Sequence, residues 1–234
     1  MNRIQHIIEP TRLWLVWQPG ELDYRPRRRH IVGEIVRYDD GALLQYLTDT
    51  EDFKKAVKAG FVGYPAFKLG DPVHKLGVID TFMRRLPPRK RDDFHEYLER
   101  YRLPEDFSGS DMALLGYTGA KLPSDGFEIY ADLAEASTPF EIVLEIAGFR
   151  HQSEYRPSDL AVGESVEFVP DPENAHDSMA ISIRRNGKML GWVSRQHLHE
   201  FHEWYRNGFS VSGVIERING TPERPLVYIF VKVR

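Results

Sequence analysis

Hydrophobic and polar positions alternate in short blocks along most of the chain, and only a few stretches carry the wider helical period. Arg12-Leu-Trp-Leu-Val-Trp-Gln18 and His30-Ile-Val-Gly-Glu-Ile-Val-Arg37 are rich in β-branched and aromatic residues. Pro19, Gly20 and Pro26 separate them, which predicts two strands, with a third from Ala42 to Leu47. Thr50-Glu-Asp-Phe-Lys-Lys-Ala-Val-Lys58 has a capping threonine, early acids and late lysines, with Gly60 just beyond. That is a helix start and stop, with Phe53 and Val57 expected on its buried face. A second helix is predicted to open at Pro87-Pro88, to carry Phe94, Tyr97, Leu98 and Tyr101 at helical spacing, and to close at Pro104. A shorter helix is expected from Asp111 to Leu115.

From Phe140 the period shortens. Strands are expected over Phe140–Arg150, Glu164–Val169, Ser178–Arg185, Lys188–Val193, Phe209–Ile218 and Pro225–Val233. Asn186-Gly187 is a type I′ hairpin signal, because both central residues must reach positive φ, and Asn219-Gly220 is expected to lie in the last turn. Ser194 is placed as the cap of a helix from Arg195 to Arg206. Six strands and one clear helix in the last 95 residues predict a small closed or nearly closed barrel. The small and polar residues from Asp132 to Pro139 place the boundary, giving an α+β domain over 1–135 and a mainly β domain over 140–234.

The bulk composition narrows the chemistry. At 41% hydrophobic and 28% charged, the 234 residues have the make-up of an ordinary globular protein, and the length predicts two modest domains. The absence of cysteine excludes disulfides, thiolate catalysis and Cys-ligated metal centres. No apolar run suits a signal peptide or a membrane span, so a cytoplasmic protein is expected. A net charge of −4 argues against coating nucleic acid through a broad basic surface; any such binding must be local. The basic runs at Arg25, Arg27, Arg28 and Arg29, and at Arg84, Arg85, Arg89, Lys90 and Arg91, are flanked by acids and read as solvated faces.

The polar turn Asp171-Pro-Glu-Asn-Ala-His-Asp-Ser-Met-Ala-Ile181 runs straight into a strand and gathers Asn174, His176 and Asp177 at one corner. Such a corner fixes hydrogen-bonding groups and a ring in one constellation, although an Asx turn satisfying local amides is the competing explanation for Asn174 and Asp177. Together with Ala147-Gly-Phe-Arg-His151, Gly163-Glu-Ser-Val166 and Lys188-Met-Leu-Gly-Trp-Val-Ser-Arg195, it makes the C-terminal segment resemble the HIRAN domain. That resemblance implies an OB-like six-stranded barrel with one or two helices that receives the 3′ end of single-stranded DNA. Carried over by position, it implies that Asp177 accepts a hydrogen bond from the 3′ hydroxyl. Arg150 and His151 would line one side of the pocket, with Asn174 and His176 opposite. Arg195 would contact phosphate, Phe230 would offer a stacking face, and Trp192 lies beside the pocket. His151 and His176 stand where the best-studied members carry tyrosines, and since imidazole titrates near neutrality, binding is expected to strengthen as pH falls.

Phe61-Val-Gly-Tyr-Pro-Ala-Phe67, Phe82-Met-Arg-Arg-Leu-Pro-Pro88 with Arg91, and Asp111-Met-Ala-Leu-Leu-Gly-Tyr-Thr-Gly-Ala-Lys-Leu-Pro123 resemble the amino-terminal region of HipA-like kinases. The chain has no Gly-rich phosphate loop and no catalytic-loop motif of the His-Arg-Asp kind. A scaffold that binds a protein partner, such as a HipA-like kinase or a DNA-processing ATPase, is therefore expected. The leading expectation is a non-enzymatic DNA-binding protein without cofactor; the alternatives are a regulatory module of a separately encoded HipA-like kinase and a nuclease accessory. His197, His199, His202, Glu200 and Glu203 crowd one predicted helix, but their spacing does not match the zincin pattern and they read as an exposed helix face rather than a metal site.

Overall fold

The computed structural model describes residues 2–20, 28–39, 41–122, 125–152 and 154–234. Arg25, Pro26, Arg27 and Pro123 lie outside them. The chain divides into two compact units, one formed by Ile8–Tyr101 and Glu105–Leu133, the other by Met1–Ile7, Arg102–Pro104 and Ala134–Arg234. The sequence-based division into 1–135 and 140–234 had left Met1–Ile7 and Arg102–Pro104 with the N-terminal part.

The first unit is built on an antiparallel sheet. Strands β1 (Arg12–Trp17), β2 (His30–Tyr38) and β3 (Gly41–Tyr46) lie side by side as their alternation predicts. Helix α1 (Glu51–Lys58) follows, capped by Thr50, whose hydroxyl accepts from the Phe53 amide at 3.2 Å. Its buried face carries Phe53 and Ala56, whereas Val57 is 46% exposed, so the contact with the sheet runs i to i+3 rather than i to i+4. Short pairs β4 (Gly63–Tyr64) and β5 (Phe67–Lys68) and the strand β6 (Val73–His74) lead to α2 (Val78–Met83). Helix α3 (Phe94–Arg100) starts after Asp93 and not at Pro87-Pro88, and α4 (Asp111–Thr118) begins at the Ser110 cap and runs three residues past the expected end. Strand β7 (Phe127–Ala131) completes a sheet of order β6-β3-β2-β1-β7. Phe61, Tyr64, Phe67, Phe82 and Phe127 form its aromatic core, with the Tyr64 and Phe82 rings 4.8 Å apart.

The second unit is a six-stranded antiparallel sheet curled into a half-barrel. Its strands are β8 (Phe140–Glu145), β9 (Ser165–Pro170), β10 (Ile181–Arg185), β11 (Lys188–Trp192), β12 (Val211–Thr221) and β13 (Arg224–Val233), in the order β11-β10-β9-β12-β13-β8. The two edges meet just beyond β8, where Ala147 and Trp192 exchange both backbone hydrogen bonds at 2.9 Å. Gly191 makes that seam possible. Its φ is +148°, and a Cβ there would lie 2.5 Å from the Ala147 carbonyl oxygen and 2.6 Å from Ile146 Cγ2.

Helix α5 (Leu198–Arg206), preceded by a 3-10 turn at Arg195–His197, buries Phe201 and Trp204 in this unit. The Trp204 ring meets Phe140 edge-on at 5.3 Å and the Phe201 ring lies 5.1 Å from Phe168. Asn186 and Gly187 both have positive φ, as the hairpin signal requires. Asn219 and Gly220, by contrast, continue the β12–β13 ladder opposite Leu226 and Pro225, and the reversal falls at Pro222 and Glu223, between Thr221 and Arg224.

Met1–Ile7 belongs to this unit through two buried carboxylates. Glu141 on β8 accepts from the backbone N–H groups of Gln5 and His6 at 3.0 and 3.1 Å and faces the His6 ring at 3.1 Å. Glu216 sits at the β-bulge between Ile215 and Arg217, accepts from Asn2 Nδ2 at 2.6 Å and pairs with the Arg102 guanidinium. Ile4, clipped by its amide to the Arg102 carbonyl at 2.7 Å, is buried.

Candidate nucleic-acid interface

The turn between β9 and β10 is held from several sides. Asn174 Oδ1 accepts from the amides of His176 and Asp177 at 3.0 and 3.2 Å, and Asn174 Nδ2 donates to Asp171 Oδ2 at 3.2 Å. Asn174 therefore spends its side chain on the Asx turn. The Asp177 carbonyl accepts from the Ala180 amide at 2.9 Å, and the Asp171 amide donates to the Ala180 carbonyl at 2.8 Å. Together these bonds set the direction of one side chain, the carboxylate of Asp177.

That carboxylate has two different oxygens. Oδ1 accepts from the Met179 amide at 3.0 Å. Oδ2 faces Arg195 Nε at 4.0 Å across a partly exposed gap, with the arginine projecting from the 3-10 turn that follows β11. One oxygen is engaged and the other lies beside a guanidinium, so the corner sets a carboxylate, which can only accept, next to a cation, which can only donate. His176 is exposed on the same turn.

A second cluster surrounds the barrel seam. Gly148, at φ +75°, starts a 3-10 turn over Phe149–His151 that packs on β13 and β11. Phe149 anchors this turn in the core while Arg150 and His151 stay exposed, and Arg150 Nε donates to His151 Nε2 at 3.1 Å. Since guanidinium only donates, the His151 ring in this arrangement accepts at Nε2 and carries its proton on Nδ1. Trp192, half-buried, is opposite Ser182 on β10 and bridged to Ala147. The structure thus groups Asn174, His176, Asp177 and Arg195 at one corner, and Arg150, His151 and Trp192 at the seam, with Trp192 and Arg195 joined by Val193 and Ser194.

Phe230 is corrected. It is 1% exposed, on the face of β13 opposite Val227, Ile229 and Val231, and has no open face for a base to stack on. Of the rings expected at the site, His151 and His176 are exposed and Trp192 is half-buried. The helix read as a solvated histidine face is also corrected in part, because His197 and Glu200 are 6% and 2% exposed and pair with each other at 2.6 Å. His199 is exposed, and no cluster fit to hold a metal ion occurs among the described residues. Among the basic runs, Arg85 is no surface residue either. Its side chain is 5% exposed and donates to Asp125, Tyr64 and the carbonyls of Ala120 and Phe127.

Sequence reasoning missed His202. From α5 its Nε2 donates to the Met179 carbonyl at 2.9 Å, 23 residues away in the chain. A bond between a helix and a distant turn leaves no mark in local periodicity.

The fold and its polar rim define a curled, OB-like half-barrel module. Residues 139–233 match the HIRAN domain, a family known to bind DNA. Two solved structures are similar to the chain. The HIRAN domain of human HLTF is 18% identical, with 40% of this chain and 74% of that one covered and a TM-score of 0.32. A protein from Lactobacillus plantarum is 18% identical, with 39% of this chain and 91% of that one covered and a TM-score of 0.34. No curated protein matches the chain. No helix among the described residues is long and apolar enough to cross a membrane.

Proposed function

We propose that the C-terminal unit captures the 3′ end of single-stranded DNA without catalysing a reaction, and that the N-terminal unit serves as a scaffold for a protein partner in the cytoplasm. The observation that carries the reading is the Asp177 corner, where a carboxylate oxygen stands beside Arg195 on a turn that is itself immobilised. A carboxylate accepts from a hydroxyl and repels a phosphate, so it separates a free end from a continuing or phosphorylated strand. Arg195 then takes the phosphate of the terminal nucleotide. Residues 140–234 contain eleven arginines and lysines against thirteen aspartates and glutamates, which suits a small end site better than a long electrostatic track. Stacking on His151, His176 or Trp192 adds about 1–3 kcal/mol per base without demanding a sequence.

The test is a titration of the full chain with a short labelled single strand ending in a 3′ hydroxyl and with the same strand ending in a 3′ phosphate. Tighter binding of the hydroxyl strand is expected, and Asp177→Asn, which keeps an acceptor but loses the charge, should bring the two affinities together. Equal or absent binding by the wild type would sink end capture and favour the regulatory reading, in which the resemblance of the N-terminal unit to HipA-like kinases makes such a kinase the partner to try.

A further inference from the structure

The Asp177 carboxylate is only as well placed as the peptide that holds its Oδ1, and that peptide, Met179, is gripped at both ends. Its N–H donates to Asp177 Oδ1 at 3.0 Å, and its carbonyl accepts from His202 Nε2 at 2.9 Å. Met179 as a residue is 44% exposed and is not anchored in the core. His202 itself stands on α5, next to Phe201 and two residues before Trp204, both fully buried. The helix is therefore fixed to the barrel by its aromatic face, and the imidazole carries that rigidity to the turn. We propose that His202 is a positioning residue of the 3′-end site: it fixes the Met179 peptide so that Asp177 presents Oδ2 toward the Arg195 side instead of swinging with a free turn. A neutral ring donates to a carbonyl through Nε2 only in the Nε2–H tautomer, so the bond also sets the protonation pattern of this ring.

The inference rests on the end-capture reading, and the experiment separates the two. Two near-isosteric replacements are compared, His202→Gln, which can still donate to the Met179 carbonyl, and His202→Glu, which when ionised cannot. Full-length wild type and both variants are titrated with the 3′-hydroxyl and 3′-phosphate strands. Amide hydrogen exchange at Met179 is followed in the free proteins, and thermal stability is recorded alongside. With His202→Glu, preference for the hydroxyl strand is expected to fall about threefold to tenfold, the range of one lost hydrogen bond, and Met179 exchange to accelerate. His202→Gln should restore most of both. Full discrimination and unchanged Met179 protection in His202→Glu would overturn the role of His202 while leaving end capture intact. Equal loss in both variants would overturn it too, since donation would not be what matters. A wild type that binds both strands equally overturns end capture, and the positioning role with it.

Discussion

Two glycines of the half-barrel show how a single residue decides the seam on which the site depends. Gly187 and Gly191 both have positive φ, +76° and +148°, so each replacement by alanine carries a backbone cost. At Gly187 a methyl meets open space, and the expected loss is about 1 kcal/mol. At Gly191 the same methyl would collide with the Ala147 carbonyl and the Ile146 side chain, neither of which is a flexible tip, and the expected loss is about 2–3 kcal/mol. Urea unfolding of Gly187→Ala and Gly191→Ala measures the difference. Gly191→Ala should also weaken strand binding, because the shift separates Trp192 from Ala147 and from the turn that carries Arg150 and His151. Comparable losses in the two variants would show that crowding at the seam is not the cause.

At the scale of elements, the legible parts are those whose information is local. Strands β1 to β3 follow from alternation, α1 from a Thr50 cap with acids before lysines, and the β10–β11 hairpin from Asn186-Gly187. Helix α2 was not predicted, because Val78-Ile-Asp-Thr-Phe-Met83 is short, partly β-branched and enters from a left-handed Gly77 with no side-chain cap. The Asn219-Gly220 signal misled because the β12–β13 hairpin ladder runs on through Asn219 and Gly220 to the Thr221–Arg224 pair, and the chain reverses at Pro222 and Glu223 instead. At the candidate site, the Asx turn of Asn174 was legible, whereas the burial of Phe230 and the His202 bond depend on which elements pack together. Arg85 is the clearest case of packing overriding a local reading. Placed just after α2, it holds Asp125 and the carbonyls of Ala120 and Phe127. Arg85→Met should destabilise the N-terminal unit by about 3 kcal/mol, against less than about 1 for Arg89→Met, whose pairing with Asp111 is more exposed. Chemical denaturation of both variants decides it.

On the scale of the whole molecule, the C-terminal unit is larger than the stretch that matches the HIRAN domain, since it draws in Met1–Ile7 and Arg102–Pro104. The physical reason is the pair of buried carboxylates that those segments satisfy. Burial alone would raise the pKa of Glu141, but the N–H groups of Gln5 and His6 and the His6 ring outweigh it, and the carboxyl titrates below its ordinary value. A depressed carboxylate contributes stability that is complete above its unfolded pKa and is lost as pH falls through the folded one. The attachment of the first seven residues should therefore hold at neutral pH and weaken below about pH 4.5, the ordinary glutamate value. Hydrogen exchange at Gln5 and His6, corrected for the intrinsic rate, should show protection falling as pH drops through that window. Glu141→Gln keeps an acceptor but removes the charge, so it should lower protection at pH 7 and flatten the pH dependence. Deleting residues 1–7 from the full chain should lower the stability of the C-terminal unit, because Glu141 would lose its N–H donors and Ile4 would leave the core. Unchanged stability would mean that the first seven residues rest on this unit without supporting it.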